Sequence, residues 1–160
     1  MDTASAKPTP AFVAASWAAL LIGAVAFGVG LWNAEMLLNE KGYYLTLLLF
    51  GLFAAVSLQK SVRDRLEGVP VTDLYYGICW AALLAALVLL AVGLWNASLA
   101  LSEKGFYAMS FLLALFGVVA VQKNVRDLAA YERGRPAEAA DLAAEPVLGD
   151  GEARRPERAL

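Results

Sequence analysis

Four stretches of this chain carry no charge: residues 11–32, 43–59, 77–95 and 106–121. That pattern limits the fold more than any other feature. A helix needs about 20 apolar residues, within a range of about 17–25, to cross the hydrocarbon of a bilayer. The first and third runs meet that length. The second and fourth are short, near 25 Å of helix at about 1.5 Å per residue, and Lys60 and Lys123 at their ends can close the gap by reaching out to the headgroups. The competing reading, a soluble helical bundle, needs a polar outer face at helical spacing. The stretch "YYLTLLLFGLFAAVSL" offers only Thr46 and Ser57 for one. With 60% hydrophobic residues and a mean hydropathy of +0.59, the chain is too apolar for an ordinary soluble domain. The expected fold class is all-α: a polytopic membrane protein with four transmembrane helices.

Punctuation fits the runs. Thr9-Pro10 reads as a helix cap followed by proline at the first helical position, and Pro70 with Thr72 and Asp73 reads the same way before the third run. "MDTASAKPTP" followed by a long apolar run does not read as a cleaved signal peptide, so the first run is expected to stay as a helix. Gly42 and Gly105 each follow a lysine, which suggests helix C-caps. A helix unbroken from Ala11 to Lys41 would be about 46 Å long, well beyond a hydrocarbon core of about 30 Å. "AEMLLNEK" is therefore expected either to project from the membrane or to bend at Asn33 and lie along it.

The chain also repeats itself. "GLWNAEMLLNEKGYY" at Gly30 returns as "GLWNASLALSEKGFY" at Gly93, and over 30–64 and 93–127 the two copies are identical at 19 of 35 positions without a gap. The register extends back to Trp17 and Trp80. Each copy reads as a two-helix hairpin closing on "QKSVRD" or "QKNVRD". An even number of spans per copy gives both copies the same orientation, with a symmetry axis along the membrane normal. The expected organisation is an N-terminal segment 1–9, a first repeat 10–67, a linker 68–76, a second repeat 77–130 and a disordered cytoplasmic tail 131–160. "GAVAFGVG" suggests close helix approach through Ala24 and Gly28 and through Ala26 and Gly30.

Two sets of residues stand out as candidate sites. An outer-face motif comprises Trp32, Asn33, Glu40, Lys41 and Gly42, with Trp95, Asn96, Glu103, Lys104 and Gly105 in the second copy. The tryptophans suit the headgroup level. A cytoplasmic collar comprises Gln59, Lys60, Arg63 and Asp64, with Gln122, Lys123, Arg126 and Asp127. It pairs Lys60 with Asp64 and Lys123 with Asp127 at i,i+4. The collar reads as a topology-fixing charged rim, or as a contact for anionic lipid headgroups. A third reading pairs Arg63 with Asp127 and clamps the repeats together. Eleven Lys and Arg fall on the collar side against Lys41 and Lys104 on the other, which places both termini in the cytoplasm.

These quoted stretches resemble the YiaA/YiaB inner-membrane family, a two-helix domain with a linking section of this kind, and the doubled hairpin looks most like its YiaA type. The resemblance covers about 10–127 and implies a bacterial inner-membrane location; it brings no activity, cofactor or catalytic residue.

Function is weighed on the residues. There is no histidine, and Cys79 is the lone cysteine, so the commonest general base and metal ligand is missing and no internal disulfide can form. No catalytic residue, metal or cofactor is expected. A net charge of −2 gives no field for nucleic acid. Proton-coupled transport needs an ionisable group within the membrane, and the four runs hold none. The function expected is that of a non-enzymatic integral membrane protein: an envelope scaffold, accessory or stress-related factor. A small transporter or channel subunit is the alternative. The expected partners are membrane lipids, with a second copy or another membrane protein as further candidates.

Overall fold

A computed structural model describes residues 7–144, with side chains through Arg133. It contains four helices: α1 (Pro10–Asn33), α2 (Leu38–Leu66), α3 (Asp73–Asn96) and α4 (Leu101–Ala144). All four are long and apolar enough to cross a membrane. Their surfaces carry the same chemistry as their seams. Leu21, Ile22, Val25 and Val29 of α1, Phe53 of α2, Val88 of α3 and Phe116 of α4 all face outward. A soluble monomer rarely exposes so continuous an apolar surface, whereas lipid is its natural solvent.

The helix starts follow the sequence. Thr9 Oγ1 accepts the Phe12 amide at 3.3 Å, with Pro10 at the first helical position. Thr72 Oγ1 accepts the Tyr75 amide at 3.3 Å. Pro70 stands in the preceding loop and is not part of the helix start. The ends depart from expectation. Gly42 and Gly105 are each the fifth residue of their helix, α2 and α4, inside it, and cap nothing. The chain reverses earlier, at 34–37 and 97–100, so "AEMLLNEK" neither projects as a continuation of α1 nor lies along the membrane as a bent arm of it: its second half opens α2.

Gly68, at φ 73°, is the glycine that ends a helix. Val69 N–H donates to Asp64 O at 2.8 Å and Gly68 N–H to Arg65 O at 3.2 Å. This is the Schellman arrangement, whose left-handed residue favours glycine. The aligned residue in the second copy is Tyr131, and there α4 runs on to Ala144. Residues 131–144, expected to be disordered, are thus helical, while the remainder of that tail, 145–160, lies outside the described residues.

Packing crosses between the repeats. α1 packs chiefly on α4 and α2 on α3, whereas the helices joined by the turns 34–37 and 97–100, α1 with α2 and α3 with α4, touch little. An offset of 63 residues converts α1·α4 into α3·α2 and leaves α2·α4 unchanged. That is the signature of a two-fold relation between parallel repeats. Tyr44 and Tyr107 occupy equivalent positions and stack on each other, with ring centroids 6.1 Å apart and planes 18° apart. Phe27 of α1 meets Tyr107 edge-on at 5.4 Å.

The two seams are not equal. A Cβ added at Gly23 would lie 2.5 Å from the Ala114 backbone nitrogen, and one at Gly117 would run into the Leu20 backbone. The equivalents on the α2·α3 side are Ala86 and Ala54. Glycine therefore brings α1 and α4 to backbone contact, where dispersion and close packing do the work that hydrophobicity cannot do in lipid. Of the pairs expected from "GAVAFGVG", Gly30 meets Phe106 and Tyr107, but Gly28 faces open space.

Candidate functional site

The motif around the turns 34–37 and 97–100 is a turn lock, built twice. Asn33 Nδ2 donates to Val29 O at 2.8 Å, and Asn96 Nδ2 to Val92 O at 2.8 Å. Lys41 Nζ donates to Trp32 O at 2.9 Å and Lys104 Nζ to Trp95 O at 3.2 Å. Each lysine thus neutralises carbonyls at the negative end of the preceding helix from across the turn. Glu40 Oε2 accepts the Leu37 amide and Glu103 Oε2 the Ala100 amide, both at 2.8 Å. This is the glutamate half of a capping box. The repeat of Asn, Glu and Lys is therefore explained by four residues of turn that need orphan donors and acceptors closed at both ends.

Trp32 and Trp95 are 82% and 85% exposed. They flank the turns and pack on little. Gly42 and Gly105 face open space, and nothing in the structure explains why glycine recurs there. A crevice of about 340 Å³ opens between the end of α1 and the start of α4, lined by Asn33, Ala34, Ser102, Glu103, Phe106 and Tyr107. Its Asn33 and Glu103 already hold the turn bonds just described.

The collar is a charge network. Lys60 Nζ lies 2.5 Å from Asp64 Oδ2, and Arg63 lies 3.0 Å from Asp64 Oδ1 and 3.6 Å from Glu67. In the second copy Arg126 holds Asp127 at 2.7 Å. Among the described residues, no ion pair joins Lys123 to Asp127. Nor does Arg63 reach Asp127. The link between the repeats is Arg126 to Glu67, at 3.9 Å. Arg65 pairs with Asp73 and lies over the Tyr76 ring at 4.1 Å, which ties the end of α2 to the start of α3. Beside this network lies a mostly apolar groove of about 380 Å³, lined by Leu58, Val62 and Arg63 of α2, Trp80 and Leu83 of α3 and Val119 of α4. Gln59 Oε1, Arg63 Nε and Gln122 Oε1 are enclosed without a hydrogen-bond partner in the structure.

Sequence reasoning missed three features. Glu67, the bridge between repeats, falls just beyond the repeated motif. Ser16 and Asn124 are both buried, and Asn124 Nδ2 donates to Ser16 Oγ at 2.9 Å; Ser16 in turn donates to Phe12 O at 2.7 Å. The one available signal was Asn124 replacing Ser61 within an otherwise repeated "QKxVRD". Tyr43 Oη donates to Leu89 O at 2.7 Å across α2·α3, where the second copy has Phe106.

Comparison with known proteins places this architecture. Inner membrane protein YiaA of Escherichia coli (strain K12) is 57% identical over 127 residues, covering 79% of this chain and 88% of that protein. Inner membrane protein YiaB of the same organism is 32% identical over 100 residues, covering 61% and 82%. Uncharacterized membrane protein YubF of Bacillus subtilis (strain 168) is 38% identical over 62 residues, 38% of this chain and 71% of that protein. No solved structure matches. The family model for the yiaA/B two helix domain matches twice, at residues 12–64 and 75–127, one match for each repeat. The chain is a membrane protein of the YiaA/YiaB two-helix domain family.

Proposed function

We propose that this protein is a non-enzymatic structural or accessory component of the bacterial inner membrane, with both termini in the cytoplasm, and that its inner rim is where it meets lipid. The observation that supports this most is how the repeated polar residues are used. Asn33, Glu40 and Lys41, like Asn96, Glu103 and Lys104, bond the backbone of their own turns. Acid–base chemistry needs groups that converge on a substrate, and these are committed to the fold. The names of the YiaA and YiaB relatives support the inner-membrane assignment. The excess of Lys and Arg at the collar supports the orientation.

Lipid contact rests on the groove beside α2 and α3. Its lining is mostly apolar and includes Arg63, a combination that suits an acyl chain with a phosphate nearby. Photo-crosslinking from position 63 in cells is expected to give lipid adducts, and proteoliposomes are expected to show no ion or proton flux above protein-free vesicles. Protein-dependent flux, or the absence of lipid adducts at position 63, would overturn this reading.

A further inference from the structure

We propose that the seam between the repeats is a selective hairpin-docking surface. Ser16 and Asn124 direct the α1–α2 hairpin onto an α3–α4 hairpin, and the surface will accept that hairpin from a second copy of this chain. The basis is the crossed packing. Neither hairpin buries its own core, because α1 and α2 touch little, as do α3 and α4. Phe27 of the first hairpin is fully buried and packs on Tyr107 and Phe111 of the second. The connection between the hairpins is the short loop 67–72, which orders the halves in sequence but adds little to their contact.

Selectivity comes from the differences between nearly identical halves. The offset that superposes the repeats places Cys79 on Ser16 and Ser61 on Asn124. Two second hairpins paired with each other would set the buried Asn124 amide against the Cys79 thiol, a weak acceptor, at the collar end of the seam. Two first hairpins would set Ser16 against Ser61, whose hydroxyl already donates to Leu58 O at 2.9 Å. The heterotypic pair alone supplies the bond between Asn124 and Ser16. Burying an amide without a partner is costly, so the second–second pairing is penalised, while the first–first pairing only lacks the bond that favours the heterotypic one.

The test uses the full chain with a protease site in the exposed loop at Gly68, cut after purification in mild detergent. Two preparations with different tags on the first hairpin are cut and mixed. The expected result is that each tagged first hairpin stays bound to a second hairpin, that hybrids of first and second hairpins from different preparations form, and that first–first pairs are about tenfold rarer, the factor one good interhelical hydrogen bond supplies. Ser61→Asn gives the first hairpin its own amide facing Ser16 and is expected to raise first–first pairs several-fold. Circular dichroism on the cut material checks that both fragments remain helical. Helical fragments that separate on cutting, halves that never form hybrids, or first–first pairs as abundant in the wild type as in Ser61→Asn would each overturn the proposal.

Discussion

Single glycines decide how near α1 and α4 approach. At Gly117 a side chain would meet the Leu20 backbone, which has no freedom to swing aside. Gly117→Leu is expected to destabilise the folded protein by about 1–3 kcal/mol or more, the usual cost of overpacking, read as a lowered midpoint of unfolding in detergent. Gly28→Leu is the control: its Cβ would meet nothing within 4 Å, and its midpoint is expected to stay within about 0.5 kcal/mol of wild type, as for surface substitutions generally. This contrast also marks where the sequence stopped being informative. "GAVAFGVG" contains several small residues at spacing four, and spacing alone does not say which face meets a neighbour. The seam uses Gly23, outside both expected pairs, because the helix it meets comes from the other repeat.

Elements are set by local hydrogen bonding. Glu40→Ala removes the acceptor of the Leu37 amide and is expected to speed exchange of that amide by about fivefold, since losing a cap costs about 1 kcal/mol. Glu103→Ala is expected to do the same at Ala100. Gly68→Val forces a branched side chain into the left-handed region at φ 73° and is expected to cost about 1–3 kcal/mol or to let α2 run on as α4 does past Tyr131; thermal unfolding with helix content by circular dichroism reads both. Helix starts were legible because Thr-Pro and Thr-Asp act on their immediate neighbours. Gly42 and Gly105 were misread as helix ends because a lysine before a glycine looks the same whether it closes its own helix or the previous one. Lys41 and Lys104 do cap carbonyls, but those of Trp32 and Trp95.

For the molecule as a whole, lipid makes the fold easy to read and the function hard. A bilayer demands long uncharged helices, so the four spans and the duplicated unit are written openly in the sequence. The pairing of α1 with α4 and α2 with α3 is not, because it depends on contacts across some hundred residues, such as Asn124 with Ser16. The candidate sites were legible as repeated residues, yet repetition did not distinguish a turn lock from a binding motif. The topology is tested most directly by single cysteines at Ala34, Ala97 and Val69 in a Cys79→Ser background, labelled in intact cells with a membrane-impermeant thiol reagent. Positions 34 and 97 are both expected to label from outside, and position 69 only after the membrane is opened. Labelling of 34 and 97 from opposite sides, or of 69 in intact cells, would contradict it.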